Sequence, residues 1–228
     1  MKVNIQERML LNKIKNADED IITNYALSNL YYSSLAYCDP DYIAASLLKI
    51  NATSVSVYNV YSAQAFFAEF DTFSIVSFRG FSKMKEFKML MRWWKKDFFD
   101  IQAHAGFVDN IQYILYQMLP DLQALPEKKR LIFTGHSMGG ALAMLLAIAH
   151  RPTDICVFGC PKVASGEIFT NYYKSVNVLR FETKYDFATW MPPSFPFGYE
   201  HVGSVHSLGG MLRPIKTHKL ENYLRYLL

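Results

Sequence analysis

Apolar residues along the chain fall into short runs that alternate between strand-like and helix-like spacing. Runs rich in β-branched and aromatic residues predict six strands, at residues 54–61, 65–70, 73–78, 130–134, 154–158 and 176–182. Apolar positions at helical spacing predict helices near residues 20–37, 107–119, 138–150, 169–175 and 219–228. Strands that alternate with helices predict an α/β fold with a mostly parallel central sheet, covered by helices on both faces.

Punctuating residues refine three of these boundaries. Pro120 is expected to stop the helix at 107–119, and Thr217 is a candidate N-cap for the last helix. Residues 191–198 are rich in proline and predict a loop, and residues 199–215 are expected to hold a short hairpin.

Length and composition predict one domain over residues 1–228, with 51% hydrophobic and 19% charged residues. No apolar run is long enough to cross a bilayer, and the first 21 residues lack the apolar stretch of a secretory signal. Three cysteines, Cys38, Cys156 and Cys160, suit free thiols in a reducing compartment. We therefore expect a cytoplasmic protein, or one exported without a signal peptide, that can associate peripherally with membranes.

The strongest chemical signal is the pentapeptide Gly-His-Ser-Met-Gly centred on Ser137. It follows the apolar strand at 130–134 and opens the helix at 138–150. A serine on such a tight strand-to-helix turn, flanked by small residues, is the nucleophile elbow of serine hydrolases. A chance match is the alternative, but the strand, the helix and Gly140 all stand where the elbow requires them.

A serine nucleophile needs a base and an orienting acid, which in this arrangement follow it in the order acid, then histidine. Asp186, just after the strand at 176–182, is the favoured acid, although an aspartate in a loop is commonly a turn former. Three downstream histidines remain open as the base, and their positions separate them only weakly: His201, His206 and His218.

Several short motifs together resemble the class 3 (fungal-type) lipases, from about residue 25 to the C-terminus. Their order and rough spacing carry the resemblance: Ala36-Tyr37-Cys38, Phe78-Arg79-Gly80, His104-Ala105-Gly106-Phe107, Gly135-His136-Ser137-Met138-Gly139-Gly140, Phe158-Gly159-Cys160-Pro161-Lys162-Val163, Asp186 before Pro192-Pro193, and His218-Lys219-Leu220-Glu221-Asn222-Tyr223. The resemblance implies an α/β-hydrolase fold with Ser137, Asp186 and His218 as the catalytic triad. It also implies that His201 is not the base.

The resemblance further implies an oxyanion hole built from the backbone N–H groups of Met138 and Phe81. Most members of the family have Ser or Thr after the Arg-Gly pair, whereas this chain has Phe81 followed by Ser82. Either Ser82 supplies the hydroxyl, or the hole uses backbone donors alone. The loss of one such donor costs on the order of 10²–10³ in rate.

Residues 82–103 occupy the place of the family's lid, and their pattern is basic and aromatic. Between Lys83 and Lys96 six basic residues face one acidic residue, a net charge of +5. If helical, the segment cannot bury all of its apolar residues, which favours contact with an anionic lipid surface. The alternative is a core helix with a solvated basic face. The candidate lipid-binding residues are Met84, Phe87, Met91, Trp93, Trp94, Lys95 and Lys96.

These features predict a serine ester hydrolase that cleaves acyl esters of lipids, as a triacylglycerol lipase or a phospholipase A1-like enzyme. Two alternatives remain: a catalytically silent lipid-binding protein on the same fold, and a hydrolase of soluble esters or thioesters. No zinc-ligand spacing, phosphate loop or dinucleotide motif occurs, so no metal, nucleotide cofactor or nucleic-acid partner is expected.

Overall fold

The computed structural model describes residues 21–61, 63–81, 90–210 and 214–228. Within them, seven strands form one sheet in the spatial order β1-β2-β3-β6-β7-β9-β10. These strands are β1 (Ser54–Val60), β2 (Ala63–Glu69), β3 (Phe73–Phe78), β6 (Arg130–His136), β7 (Asp154–Phe158), β9 (Asn177–Thr183) and β10 (Ser204–Leu208). The first three strands pair antiparallel and the others pair parallel, which confirms the mostly parallel sheet of an α/β-hydrolase.

Helices cover both faces of this sheet. They are α1 (Ile21–Leu35), α2 (Pro40–Lys49), α3 (Ala105–Gln123), α4 (Met138–Ala149), α5 (Glu167–Tyr172), α6 (Phe187–Trp190), α7 (Pro214–Thr217) and α8 (Leu220–Leu227). Helices α3 and α4 pack on one face with Phe133, whereas α1, α2 and α8 pack on the other with Ile132. Because consecutive strand residues point to opposite faces, one apolar strand such as β6 contributes to both cores.

A second, three-stranded antiparallel sheet lies beside α3, and over residues 95–103 it replaces the helix that was predicted for the lid segment. It contains β4 (Lys95–Phe98), β5 (Ile101–His104) and β8 (Ala164–Ser165). Phe99, with φ of 50°, turns the chain between β4 and β5, so their backbone groups pair with each other. Residues 82–89, the first part of the predicted lid, lie outside the described residues.

Pro120 does not end helix α3, which continues to Gln123. A proline inside a helix removes the hydrogen bond to the carbonyl four residues earlier, here that of Tyr116. The side chain of Tyr116 is 77% exposed, so this side of the helix faces water, which can bond the freed carbonyl. The predicted stop was therefore wrong for a reason that depends on tertiary position.

The C-terminal region also differs from the prediction. No hairpin forms in the described part of 199–215: Ser204–Leu208 instead pairs parallel with β9 and extends the main sheet. Thr217 is not the N-cap of the last helix, because that position belongs to Lys219. The main-chain oxygen of Thr217 accepts a hydrogen bond from the Thr183 hydroxyl. None of the helices in the described ranges is both long and apolar enough to span a membrane.

Candidate active site

Ser137 lies on the predicted tight turn between β6 and α4. Its φ of 60° and ψ of −130° are strained for a residue with a side chain, at a cost of roughly 1–3 kcal/mol. The turn is held by a hydrogen bond from the Ser137 N–H to the Phe158 carbonyl, 2.9 Å long. This backbone conformation places the Ser137 hydroxyl at the carboxyl edge of the sheet.

The flanking glycines Gly135 and Gly139 allow this turn because, without side chains, their Cα atoms can lie close to other backbone atoms. A Cβ on Gly135 would lie 2.4 Å from the Gly139 carbonyl group, and a Cβ on Gly139 would lie 2.2 Å from the Phe78 carbonyl oxygen. Neither position has room for a side chain. Strand β3, the elbow and helix α4 therefore approach each other more closely than larger residues would permit.

Ser137, His218 and Asp186 form one hydrogen-bonded series. The Ser137 hydroxyl oxygen lies 2.7 Å from His218 Nε2, and His218 Nδ1 lies 2.8 Å from each carboxylate oxygen of Asp186. Asp186 is fully buried, whereas the His218 side chain keeps 17% of its surface exposed. This geometry is that of a nucleophile, a base and an acid that orients the base.

The carboxylate of Asp186 is fixed by donors on two other elements. The backbone N–H of Ala188, in α6, donates to Oδ1 at 2.9 Å, so Asp186 is also the N-cap of that helix. The Tyr223 hydroxyl, from α8, donates to Oδ2 at 2.5 Å. Burial raises the pKa of Tyr223 and the neighbouring carboxylate raises it further, so the phenol keeps its proton and is the donor.

Gly159, directly after β7, makes room for this arrangement. Its φ is +53°, and a Cβ placed on it would lie 2.7 Å from both Asp186 Oδ2 and the Tyr223 hydroxyl. The same Cβ would lie 3.2 Å from His218 Nδ1. A glycine is therefore required here both for its backbone conformation and for its lack of a side chain.

The residue before the nucleophile, His136, also reaches His218. Its Nε2 lies 2.8 Å from the main-chain oxygen of His218, and its Nδ1 lies 3.0 Å from the Tyr37 hydroxyl. Burial, with a smaller contribution from the charge on His218, lowers the pKa of His136 to about 3. His136 is consequently neutral at ordinary pH.

The predicted oxyanion-hole residues Met138 and Phe81 lie close to Ser137 in the chain or in space. Met138 is the first residue of α4, and Phe81, half-buried, follows Gly80 just beyond β3. A Cβ on Gly80 would lie 3.2 Å from the Ser137 Cβ and 2.6 Å from the His136 carbonyl oxygen, so this segment passes against the elbow. Ser82, the other predicted donor, lies outside the described residues.

The remaining histidine candidates are engaged elsewhere. His201 Nε2 lies 2.8 Å from the Thr189 carbonyl oxygen, and burial lowers the pKa of His201 to about 4. His206 stacks on Phe181, with ring centroids 5.0 Å apart. Of the three candidates, the structure brings only His218 to Ser137.

The described candidate lipid-binding residues include exposed apolar side chains and lysines that have polar partners. Met91 is 52% exposed and Trp94 is 58% exposed. Lys96, by contrast, forms an ion pair with Asp109 at 2.8 Å, and the Lys95 ammonium donates to the Ser165 hydroxyl at 2.5 Å. Trp93 packs edge-on against Phe197, and the other two candidates, Met84 and Phe87, lie outside the described residues.

A sequence profile of the lipase (class 3) family matches residues 75–195, just over half of the chain. The chain belongs to the class 3 lipase family. It is therefore a carboxylic ester hydrolase. The matched stretch contains the elbow and Asp186, and the described residues hold no cluster of three or more His, Cys, Asp or Glu side chains that could bind a metal ion.

Solved structures of fungal lipases share the fold of this class 3 lipase. The Rhizomucor miehei triacylglyceride lipase superimposes with a TM-score of 0.67 at 18% identity, over 84% of this chain and 82% of that one. A lipase from Rhizopus microsporus var. chinensis gives 0.66 at 23% identity, over 83% and 75% of the two chains. A triacylglycerol lipase from Penicillium expansum gives 0.66 at 16% identity, over 86% and 83%.

Three contacts of this lipase site were missed by reasoning from the sequence: Gly159 beneath the acid, the Tyr223 hydroxyl on the acid, and the Tyr37–His136 pair. Gly159 offered a usable signal, since a glycine directly after a buried apolar strand marks a sharp turn at the same edge as the nucleophile. The other two contacts join residues 37 and 99 positions apart, and no local pattern reports them.

Proposed function

We propose that this class 3 lipase hydrolyses acyl esters of glycerolipids at a lipid-water interface, with Ser137 as nucleophile, His218 as base and Asp186 as orienting acid. The observation that supports this assignment is the unbroken hydrogen-bonded series from the Ser137 hydroxyl through His218 to the buried Asp186 carboxylate. Its members lie on three different elements, separated by 81 and 32 positions in the chain.

In the first step His218 Nε2 takes the Ser137 proton while the serine oxygen bonds to the ester carbonyl carbon. The carbonyl oxygen becomes an oxyanion, which the backbone N–H groups of Met138 and Phe81 stabilise in our proposal. His218 then gives its proton to the departing alcohol, leaving an acyl group on Ser137. Water, activated by the same histidine, releases the fatty acid and restores the serine.

Asp186 keeps the imidazole in the tautomer that carries its proton on Nδ1, and it stabilises the imidazolium formed in each step. Three donors converge on its two oxygens, from His218, Ala188 and Tyr223. A fixed carboxylate needs little reorganisation when the neighbouring charge forms, which is the condition for effective electrostatic stabilisation.

Exposed apolar residues near the site support a lipid as the substrate. Helix α6 begins directly after Asp186 and ends at Trp190, which is 56% exposed, and Phe195 in the loop beyond it is 90% exposed. Phe197 in this loop contacts Trp93, which joins the loop to the exposed Trp94. A run of large exposed apolar side chains beside a hydrolytic site suits adsorption to a lipid surface better than capture of a small soluble ester.

The charge of the described segment supports a neutral lipid first and an anionic phospholipid second. Arg92 and Lys96 both form ion pairs with Asp109, at 2.7 and 2.8 Å, so their charge is partly neutralised. Triacylglycerol is therefore our first candidate for the substrate. The similar Rhizomucor and Penicillium enzymes are named as triacylglyceride and triacylglycerol lipases. The net charge of +5 between Lys83 and Lys96 keeps anionic phospholipid as the second.

The test measures fatty-acid release from a triacylglycerol emulsion and from zwitterionic and anionic liposomes, for the wild-type chain and Ser137→Ala. We expect Ser137→Ala to lose at least about 10³-fold in rate and to lose labelling by a fluorophosphonate probe. Ser175→Ala, an exposed serine away from the turn, is the matched control and should behave as wild type.

Each outcome separates the alternatives. Release from the emulsion above that from liposomes supports the triacylglycerol assignment, and the reverse order supports the phospholipid one. Cleavage of p-nitrophenyl butyrate without cleavage of any lipid indicates a soluble-ester hydrolase. Lipid binding with neither hydrolysis nor probe labelling indicates the silent lipid-binding protein. Full activity of Ser137→Ala refutes the proposed nucleophile.

A further inference from the structure

We propose that His136 is a positioning residue for the base, holding the backbone of His218 in place while the Tyr37 hydroxyl bonds the second ring nitrogen of His136. This inference rests on the proposed function of His218 and adds two residues to it. His136 precedes the nucleophile in the chain and contacts the carbonyl of the base, so one short segment bears both Ser137 and a restraint on its partner.

The direction of the hydrogen bonds follows from what each atom can do. The main-chain oxygen of His218 only accepts, so His136 Nε2, 2.8 Å away, must carry the proton and donate. A neutral imidazole then has an unprotonated Nδ1, which accepts from the Tyr37 hydroxyl at 3.0 Å. The opposite tautomer would place the Nε2 lone pair against the carbonyl oxygen of His218, so this carbonyl sets the tautomer and the Tyr37 hydroxyl, which can donate or accept, follows it.

The neutral state of His136 matters because its ring lies against the base. The two imidazole rings are 4.8 Å apart between centroids, and the other titratable groups beside them are Tyr37, Tyr223 and Asp186. His218 becomes an imidazolium in each catalytic step, and a second positive charge at this distance would oppose its formation. Burial, which lowers the pKa of His136 to about 3, prevents that.

A second restraint acts one residue earlier in the chain. The Thr183 hydroxyl donates to the main-chain oxygen of Thr217 at 3.1 Å, so two consecutive carbonyls, of Thr217 and His218, are each held by a buried side chain. The imidazole of His218 is bonded from the other side by Asp186. Helix α7 before it has a single turn, so these bonds, more than the helix, set the position of the base.

The test compares two replacements of His136 on a soluble ester, p-nitrophenyl butyrate, so that interface binding does not enter. His136→Phe keeps an aromatic ring and loses both hydrogen bonds, whereas the side-chain amide of His136→Gln can still donate to the His218 carbonyl. A displacement of about 1 Å in a reacting group can cost about 10²-fold. We therefore expect His136→Phe to lower kcat about 100-fold with KM within about 3-fold, and His136→Gln to recover kcat to within about 10-fold of wild type.

Tyr173→Phe is the control for a loss of stability alone. Tyr173 is also buried and donates to a main-chain carbonyl, that of Met144, on the far part of α4. We expect this variant to unfold at a lower temperature and to keep the wild-type kcat per folded molecule. The rate of Ser137 labelling by a fluorophosphonate should fall with kcat in His136→Phe and stay unchanged in Tyr173→Phe.

Three results would overturn the inference. The first is a kcat of His136→Phe within 3-fold of that of Tyr173→Phe. The second is a His136→Gln variant that is no more active than His136→Phe. The third applies where His136→Phe does not fold, and is a wild-type kcat for Tyr37→Phe in place of the expected loss of about 5-fold. Failure of the proposed function looks different, because the wild-type chain would then resist the fluorophosphonate or Ser137→Ala would remain active.

Discussion

Gly159→Ala tests the most crowded contact of the site. The new methyl group would lie 2.7 Å from Asp186 Oδ2 and from the Tyr223 hydroxyl, about 0.7 Å closer than the 3.4 Å at which ordinary contact begins. Both oxygens belong to groups that orient His218, so the methyl can be accommodated only by moving the acid. A misplacement of this size costs about 10²-fold, and complete loss of the orienting carboxylate costs about 10⁴-fold. We expect kcat on p-nitrophenyl butyrate to fall between these limits.

The substitution also carries a backbone cost that must be separated from the clash. Gly159 has a φ of +53°, which costs an alanine about 1–2 kcal/mol, or roughly 2–8 °C in Tm for a chain of this size. Gly166→Ala is the matched control, because Gly166 has a φ of +94° and a Cβ there meets nothing within 4 Å. It should lose at least as much stability, because its φ of 94° and ψ of 165° are accessible almost only to glycine, and it should lose no activity. A Gly159→Ala enzyme within 3-fold of Gly166→Ala in kcat would refute the reasoning.

Three further predictions concern other contacts. Tyr223→Phe removes a donor to the Asp186 carboxylate, and since a hydrogen bond to a charged group contributes about 1.5–3 kcal/mol, we expect kcat to fall about 10-fold or more. Asp109→Asn releases Arg92 and Lys96, which should tighten binding to anionic vesicles in co-sedimentation, by about 1 kcal/mol for each residue that reaches the surface. The free energy of unfolding, from urea titrations, should fall as the pH drops below about 6.5, by at most about 1.4 kcal/mol per pH unit for each buried histidine. The buried histidines are His104, His136 and His201. Burial lowers the pKa of His104 and His201 to about 4 and that of His136 to about 3.

The sign and the controls follow from the same contacts. The unfolded chain takes up protons near pH 6.5 and the folded chain only near pH 3–4, so this stability is complete above pH 6.5 and is lost on acidification. Equal stability at pH 7 and pH 5 would contradict it. Tyr172→Phe, at a more exposed bond to Asp100, controls for Tyr223→Phe and should leave kcat unchanged. Asp100→Asn makes the same charge change as Asp109→Asn, and an equal gain in vesicle binding would refute the role of the ion pairs.

The main sheet could be predicted from the sequence because its strands are continuous apolar runs buried on both faces. Strand β7, for example, is buried at all five positions, and its mostly apolar composition alone excludes an exposed helix. The short strands β4 and β5 could not be predicted in this way. Four residues contain too few alternations to be recognised, and the apolar residues at 91, 94 and 98 also fit one face of a helix.

The tight turn that bears Ser137 could be predicted because its backbone requirement is contained in five consecutive residues, Gly-His-Ser-Met-Gly. The histidine that contacts Ser137 could not be predicted from the residues alone, because three histidines follow Asp186 and their distance from the serine depends on how the last 40 residues fold back. His206 lies in strand β10, which pairs parallel with β9. His218 lies just before α8, where its imidazole contacts Ser137. The resemblance to the lipase family favoured His218, which is the histidine that lies beside Ser137 in the structure.

A single feature of the backbone unites the parts of the site that were predicted with those that were missed. The neighbouring parallel strands β6, β7 and β9 end at the same edge of the sheet, and each is followed within two residues by a positive φ. These positions are Ser137, Gly159 and Tyr185, with φ of 60°, 53° and 69°. Each turns the chain sharply, so that side chains beyond the strand ends point at one another across the edge. Two of the three carry side chains and are strained, and such strain persists only where surrounding contacts hold it. The hydrogen bonds that converge on Asp186 and His218 are those contacts, so the groups that orient the base in our proposal also stabilise the turns that bring it to the serine.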